Sequence, residues 1–407
     1  MRHSGKLLYY ILGGVILGLV SGWVFGEAMT AVDWMGTLFL NALKMLVVPL
    51  IISSLIVGVA GLGNVTKLGK TGVITLAYYM LTTGVSVALG LVCVNLLEPG
   101  AGVSLAAAAS DQPVTPPDTG FTDIFLSLVT PNLIRAMADM DILPLIIFCL
   151  VFGAVLTTMG EKGKRMIEFF DAINEAVMRL VHLVLYLAPI GIFALIASKL
   201  GAAGGGEAFW GELMKIGKFT LTVLVGLGLH ALVVLPLILW AVTGRSPLTY
   251  MKNAAEALTT AFSTASSSAT LPVTIECAEL NNKVSKRISL FVLPIGATVN
   301  MDGTALYEAV AAMFIAQMYG IPLGPGEQMV VFLTATLAAV GAAGIPEAGL
   351  VTMVMVLQSV GLPLDGIAML LAIDWFLDRC RTMVNVWGDS VGAAVVERFE
   401  IRYVEGE

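Results

Sequence analysis

A row of ionisable and polar side chains runs through the last hydrophobic segment of the chain. Its members recur every three or four residues among large apolar residues: Asp374, Asp378, Arg381, Thr382, Asn385 and Asp389. On an α-helix this spacing places them along one face. An ionised group at the centre of a membrane costs roughly 3 kcal/mol even on lenient scales, so these side chains must face one another, an ion or a solute. The row is typical of a binding site.

The composition is that of an integral membrane protein. Hydrophobic residues make up 57% of the 407 residues and charged residues 13%, whereas about a quarter of a soluble chain is charged. Apolar runs of a length that can span a bilayer occur at 7–26, 35–61, 72–97, 142–159, 176–198 and 219–242. The first run lacks a clean small-residue cleavage site, so we expect an anchor helix rather than a removed signal peptide.

Two later segments are predicted to be re-entrant hairpins because of the charges that flank them. Lys and Arg favour cytoplasmic loops. Basic residues stand at both ends of 253–285, whereas only acids flank 328–363. The middle of each segment is a helix breaker, Ser-Thr-Ala-Ser-Ser-Ser-Ala-Thr-Leu-Pro at 263–272 and Gly-Ala-Ala-Gly-Ile-Pro-Glu-Ala-Gly at 341–349. One hairpin would open from the inside and the other from the outside, as in the inverted repeats of secondary transporters. The same charge rule predicts cytoplasmic N- and C-termini.

Between the hairpins, the sequence Asn-Met-Asp-Gly-Thr at 300–304 interrupts an apolar run. Gly296 and Gly303 are expected to allow the helix to unwind there, which would free carbonyl oxygens beside the Asn300 and Asp302 side chains. Such hard oxygen ligands suit Na⁺ better than a transition metal, which prefers His or Cys. A kinked helix whose polar side chains hydrogen-bond to one another is the alternative.

Taken in order, these motifs resemble those of the glutamate/aspartate transporter family, the dicarboxylate/amino acid:cation symporters. The resemblance rests on the serine-rich first hairpin, Asn-Met-Asp-Gly-Thr, the Gly-Ile-Pro tip of the second hairpin, and Asp-x-x-x-Asp-Arg-x-Arg-Thr-x-x-Asn-x-x-Gly-Asp in the last segment. It covers nearly the whole chain, including Lys-Met-Leu-Val-Val-Pro at 44–49. It implies an all-α integral membrane protein with eight transmembrane helices and two re-entrant hairpins, which assembles as a homotrimer and works as an elevator.

The resemblance also implies two domains. Scaffold helices 1–2 would lie in 1–70, and the extracellular loop with scaffold helices 4–5 in 99–210. The transport domain would combine helix 3, in 71–98, with 211–407, which holds helix 6, the two hairpins, helix 7 and helix 8. The implied function is symport of L-glutamate or L-aspartate with Na⁺ into the cell across the plasma or inner membrane, without enzyme activity.

Carried over residue by residue, the resemblance implies a substrate site. Arg381 would pair with the side-chain carboxylate of the substrate, for which a planar guanidinium is the natural partner, and Asp378 would hold its α-ammonium. Ser267 would bind the α-carboxylate. The rest of the implied set is Ser266, Met301, Thr304, Ile345, Gly349, Thr382 and Asn385. An internal salt bridge between Arg381 and Asp378 is the alternative, and both pairings can hold in turn.

The family pattern further implies three sites for transported Na⁺. They would be formed by Gly296, Asn300, Asn385 and Asp389; by Thr298 with Ala339, Val340 and Ala342; and by Tyr79, Thr82, Thr83, Asn300 and Asp302. For the hydroxyls at 79–83, hydrogen bonding between helices is the alternative.

Glu308 and Arg379 match positions found in animal members of the family that carry a proton. A carboxyl buried in an apolar helix favours its neutral form, which suits a group that loads and unloads a proton. A Glu308 that is kept charged by Arg379 is the alternative. The resemblance leaves K⁺ counter-transport open.

Other functions compete with this one. A neutral amino acid carrier of the same family would lack an arginine at 381, and a C4-dicarboxylate carrier would not need Asp378 as an ammonium partner. A serine hydrolase built on the run at 266–268 would need an activating base, yet the three histidines at 3, 182 and 230 lie outside the motifs. A passive channel would show no Na⁺ dependence of concentrative uptake.

Overall fold

The computed structural model describes residues 4–405 except 62–68, 102–125, 127, 140, 203–205 and 343–347. Within these bounds the chain is built from α-helices joined by short turns. The helices of the first half are α1 (Ser4–Phe25), α2 (Asp33–Gly61), α3 (Gly69–Leu97), α4 (Leu133–Ala138), α5 (Ile142–Thr158), α6 (Glu161–Leu185), α7 (Ala188–Ala202) and α8 (Gly206–Leu229).

The second half is more broken. A π-helical turn, His230–Val234, continues α8 into α9 (Leu235–Thr243). The remaining helices are α10 (Pro247–Asn253), α11 (Ala255–Thr264), α12 (Ser267–Glu276), α13 (Lys286–Val299), α14 (Asp302–Met318), α15 (Pro325–Gly341), α16 (Ala348–Ser359) and α17 (Ile367–Glu405). A second π turn, Cys277–Asn281, follows α12.

The described helices pack into two groups. In one group, α1 packs on α7, and α2 contacts α5, α6 and α7. In the other, α3, α8, α15, α16 and α17 surround α14. Every residue of α14 except Gln317 is buried, as expected of a helix that is apolar on all faces and sits in a protein interior. The two groups meet mainly where α15 and α16 pack against α2 and α5.

The first predicted hairpin consists of α11 and α12, which pack against each other. The chain reverses over two residues. Ala265 takes a left-handed conformation with φ of 51° and ends α11, and extended Ser266 begins α12 by accepting a hydrogen bond from the Ala269 amide at 3.1 Å. Capping by a serine side chain satisfies an amide that the first helical turn leaves without a partner. The hydroxyl-rich sequence therefore forms a tight helical reversal.

The second predicted hairpin consists of α15 and α16, which also pack against each other. Its tip, 343–347, lies outside the described residues, and with it the expected substrate residue at 345. The limbs on either side are described. α15 ends at Gly341, and α16 begins at Ala348.

The prediction of an all-helical membrane protein is confirmed at the coarse level. Four described helical stretches are long and apolar enough to cross a bilayer, namely Gly13–Ala60, Thr71–Leu97, Met214–Thr243 and Lys286–Met318, and two apolar helices are shorter, Ile142–Thr158 and Ala188–Ala202. The first stretch contains both α1 and α2. The count of eight transmembrane helices, the trimer and the elevator stay predictions.

One predicted span is wrong. The apolar run at 176–198 was expected to form a single helix, but it divides between α6 and α7 at a turn over Tyr186 and Leu187. Pro189 is the second residue of α7. A proline at this position lacks the amide that would continue the preceding helix by bonding to the Leu185 carbonyl, and it is tolerated in the first turn of a helix. Hydrophobicity alone could not locate this break.

Candidate functional site

The side chain of Arg381 lies at the centre of the polar row on α17. It is fully buried, and its two terminal nitrogens stand 2.9 Å from Asp374 Oδ1 and 2.9 Å from Asp378 Oδ1. The guanidinium carbon lies 3.9 Å from the centroid of the Tyr307 ring on α14. Two carboxylates and an aromatic face thus compensate a cation that would otherwise be very costly to bury.

The guanidinium has donor capacity beyond these contacts. Nε and Nη1 of Arg381 make no well-aligned hydrogen bond in the described part of the chain, and neither does Asp374 Oδ1, although the Arg381–Asp374 pair is at ion-pair distance. A guanidinium has five N–H groups in a planar fork, which matches a carboxylate in two-point contact. This geometry suits an anionic group of a small solute.

Residues of α14 and its preceding break lie beside this arginine-centred cluster and are connected through Asn385. The side-chain oxygen Oδ1 of Asn385 accepts from the backbone amide of Gly303 at 2.7 Å. The side-chain nitrogen Nδ2 of Asn385 lies 3.2 Å from Thr304 Oγ1 and 3.2 Å from Met301 Sδ. Thr382 donates to the Asp378 carbonyl at 2.8 Å. The structure therefore brings together five of the expected substrate residues from two separate segments.

Both hairpins approach the same region. Ser267 is the first residue of α12 and is buried, and α12 contacts α17. A helix N-terminus presents free amides that favour an anion. From the other hairpin, Gly349 lies so close that an added Cβ atom would stand 3.3 Å from the Arg381 guanidinium carbon. Ser266, also expected here, uses its side chain to cap α12.

The break before α14 differs from the predicted one in a way that changes the role of its glycines. The helix is interrupted at Asn300 and Met301, while Gly296 and Gly303 lie inside α13 and α14. A Cβ atom at Gly303 would stand 2.7 Å from the Arg381 carbonyl oxygen, and one at Gly296 would stand 2.6 Å from the Tyr79 hydroxyl. These glycines therefore permit close approach of neighbouring helices rather than unwinding.

A second polar cluster, which we call the cation cluster, joins α3, the 300–301 break and α17. Its members are Thr82, Thr83, Asn300, Asp302 and Asp389, and all are buried. The Thr83 hydroxyl donates to Asp302 Oδ1 at 2.7 Å, and the side-chain nitrogen Nδ2 of Asn300 donates to Asp389 Oδ1 at 3.0 Å. Thr82 Oγ1 lies 3.3 Å from the side-chain oxygen Oδ1 of Asn300. Oxygen donors from carboxylates, amides and hydroxyls are the ligand set that hard cations prefer.

The remaining expected Na⁺ residues are only partly assembled. Tyr79 is buried near Asp389 but donates its hydroxyl proton to the Val292 carbonyl at 2.8 Å. Thr298 is exposed, and its hydroxyl bonds to the Ile295 carbonyl. Ala339, Val340 and Ala342 are buried at the end of α15, which packs against α13. Their proposed carbonyl ligation stays a prediction.

The structure separates the two residues that were expected to act in proton coupling. Arg379 donates from Nη1 to the carbonyls of Phe262 and Ser263 at the end of α11, at 2.9 and 2.6 Å. Glu308 is fully buried on α14, and neither carboxylate oxygen makes a well-formed hydrogen bond. The polar groups near its carboxyl are the Thr352 hydroxyl of α16 and the Arg381 guanidinium. Arg379 therefore is not the cation that accompanies Glu308.

Sequence reasoning missed two participants. Tyr307 stacks on Arg381, and His230 places Nε2 2.9 Å from Asp302 Oδ2. Both lie in apolar segments where an isolated aromatic residue gives no signal of its own. A helical projection of α14 would have placed Tyr307 one turn after Thr304 on the same face.

A polar core of this kind, inside apolar helices and walled by two helical hairpins, defines a multi-pass membrane transporter rather than an enzyme. The chain belongs to the sodium:dicarboxylate symporter family, whose model matches residues 7–399. This confirms the resemblance that the motifs indicated.

Similar proteins include several excitatory amino acid transporters. Excitatory amino acid transporter 1 of Ambystoma tigrinum is 40% identical over 457 aligned residues, which cover 98% of this chain and 83% of that relative. Excitatory amino acid transporter 3 of Homo sapiens is 40% identical, with 98% and 86% covered. Excitatory amino acid transporter 4 of Mus musculus is 41% identical, with 91% and 78% covered.

Proposed function

We propose that this protein carries L-glutamate or L-aspartate into the cell together with Na⁺. The observation that carries the proposal is the fully buried Arg381, which lies between two carboxylates and against the limb of the second hairpin. An anionic side chain of a substrate would compete with Asp374 and Asp378 for the guanidinium. The names of the relatives, which are excitatory amino acid transporters, support an acidic amino acid as that substrate.

The two ends of an amino acid would be distinguished by separate groups. Asp378 would release Arg381 and take the α-ammonium, while Ser267 and the amides at the start of α12 would bind the α-carboxylate. Asn385 and Thr304, which already touch each other at 3.2 Å, would complete the polar wall. The need for both a cation and an ammonium partner favours an amino diacid over a C4-dicarboxylate.

Sodium coupling is supported by the family and by the cation cluster. Asn385 contacts both Met301 and Thr304 on the substrate side, while Asn300, the residue before Met301, reaches Asp389. A cation held by Asp302 and Asp389 would fix the 300–301 break and so the position of Thr304. The membrane potential can help to drive concentrative uptake, because each charge moved across 100 mV contributes about 2.3 kcal/mol.

We further infer that Glu308 carries a proton and that the second hairpin is the gate. Glu308 faces Thr352 of α16, so its charge state is linked to the packing of that hairpin. Burying the charge of a carboxylate is costly, which favours the protonated form when the hairpin is closed. The two packing groups would then be the scaffold and the moving domain of an elevator, assembled as a homotrimer.

The deciding experiment is uptake of labelled aspartate into liposomes that contain the purified protein, with Na⁺, H⁺ and K⁺ gradients imposed one at a time. The proposal expects concentrative uptake driven by the Na⁺ gradient alone. Competition by unlabelled glutamate but not by succinate or by a neutral amino acid would support the amino diacid. Uptake that ignores Na⁺, or equal competition by succinate, would contradict the proposal, and the K⁺ gradient tests counter-transport.

A further inference from the structure

His230 is a buried polar residue to which the function above gives no role. Its side chain is fully buried, and Nε2 lies 2.9 Å from Asp302 Oδ2. It lies in the turn that continues α8, and neither that turn nor α8 contributes any of the expected site residues. The pairing connects a separate element of the fold with the cation cluster.

A π-helical turn presents this histidine. The turn begins at His230 and ends at Val234, inside an otherwise regular membrane helix. Such single turns are rare and often occur at functional sites, because the extra residue redirects side chains. The Trp387 indole, two residues before Asp389 on α17, donates to the Ala231 carbonyl in this turn at 3.0 Å. The turn is therefore fixed from the side of the cation cluster.

The hydrogen bonds around Asp302 show what the histidine does. Oδ1 accepts from Thr83 at 2.7 Å, and Oδ2 faces His230 Nε2. His230 Nδ1 has no hydrogen-bond partner in the described part of the chain. Because a carboxylate oxygen only accepts, the Nε2–H of the imidazole is the donor of this pair. The two donors hold the carboxylate plane from opposite oxygens.

We propose that His230 is a positioning residue for Na⁺ binding, acting through Asp302. Its Nε2–H fixes the rotamer of Asp302 so that the Thr83-facing oxygen is presented to the cation cluster. The imidazole itself is not a ligand, because its nitrogen donates to the carboxylate and suits softer metals than Na⁺. This inference rests on the proposed function only in assuming that the cluster binds Na⁺.

The test compares variants that differ in reach and in hydrogen-bonding ability. In H230Q the amide nitrogen can reach the position of Nε2, in H230N it is one methylene too short, and H230L has no donor. Purified protein would be titrated with Na⁺ without amino acid, and binding followed as the Na⁺-dependent rise in melting temperature. We expect the half-saturating Na⁺ concentration to rise about tenfold in H230N and H230L and to stay within about threefold in H230Q, since a bond to a charged group is at stake.

Thr222→Val is the matched control. Thr222 is buried on α8, and among the described residues its hydroxyl bonds only to the Lys218 carbonyl one turn earlier, so the Na⁺ titration of this variant should match the wild type. At saturating Na⁺, aspartate uptake by H230N should keep the wild-type half-saturation constant, because the substrate contacts are intact. If H230L does not fold, the comparison of H230N with H230Q still tests whether the donor at Nε2 is needed for Na⁺ binding.

Three outcomes would overturn the inference. H230N could bind Na⁺ as tightly as the wild type, or H230Q could be as impaired as H230N, which would make the ring shape rather than the donor important. A wild-type protein that shows no response to Na⁺ would refute the sodium coupling of the proposed function together with this inference. An unshifted variant in a responsive wild type refutes this inference alone.

Discussion

Replacing Arg381 by cysteine should convert an acidic amino acid carrier into one that prefers neutral amino acids. In the structure the guanidinium is fully buried, and the side chains of Asp374 and Asp378 are 4% and 10% exposed. Truncation removes the cation that an anionic substrate needs and leaves two carboxylates that repel it. Asp378 remains to hold the α-ammonium of a neutral amino acid.

The expected magnitude follows from the burial of the pair. Truncating one partner of a buried, hydrogen-bonded charge pair costs about 2–5 kcal/mol. With about 1.4 kcal/mol for each factor of ten, aspartate should bind roughly 30-fold to several-thousand-fold more weakly. Lysine at this position keeps the charge but loses the two-point contact and the flat face on Tyr307. The aspartate affinity of Arg381→Lys should therefore lie between that of the wild type and that of Arg381→Cys.

The assay measures the Na⁺-driven uptake of a labelled amino acid into liposomes and its inhibition by unlabelled aspartate and by unlabelled serine. It is carried out for the wild type and for each variant. Arg135→Cys is the matched control, because in the described part of the chain the side chain of that arginine forms an exposed ion pair with Asp139, outside the site. Aspartate affinity of Arg381→Cys within about threefold of the wild type, less than 1 kcal/mol, would refute the assignment. The same holds if the variant gains no affinity for serine relative to aspartate.

Three further predictions concern other buried groups. Glu308→Gln should abolish the pH dependence of uptake and spare its Na⁺ dependence, because the amide mimics the protonated carboxyl; uptake is measured across a pH series. Thr83→Val removes the donor to Asp302 Oδ1, and a loss of about 1–3 kcal/mol should weaken Na⁺ activation roughly tenfold. Glu397→Ala should lower the melting temperature, because Glu397 accepts from Arg245 at 2.8 Å and from the Ser285 amide at 2.6 Å.

The threonine and Glu397 predictions each have a control variant within the chain. For Thr83→Val the control is Thr222→Val, because the Thr222 hydroxyl bonds to the Lys218 carbonyl of its own helix; this variant should leave Na⁺ activation unchanged. Glu175→Ala removes an exposed pair with Arg179 and should barely change the melting temperature, since exposed pairs contribute little. Full pH sensitivity in Glu308→Gln would place the proton elsewhere. Equal effects of the two threonine variants would exclude a specific role for Thr83.

The extended apolar runs could be recognised as membrane helices because apolar composition and length directly determine which segments can span a bilayer. The break at 186–187 could not be placed, because the run at 176–198 stays apolar across the turn and Pro189 is its one proline. The break at 300–301 falls within the predicted motif, but the role of its glycines was predicted wrongly for a related reason. Glycine signals either unwinding or close approach, and the partners at Tyr79 and Arg381 that decide between them are distant in sequence.

The sequence by itself determined the class of the site, because carboxylates and an arginine at helical spacing in an apolar segment can persist only around charged partners. Only the tertiary structure decided which partners those are. It placed Asp374 as well as Asp378 on Arg381, moved Arg379 onto the end of α11, and brought His230 to Asp302 from a helix that carries no motif. Hydrogen bonds form between atoms that are close in space, and positions 72 residues apart become neighbours only when the helices have packed.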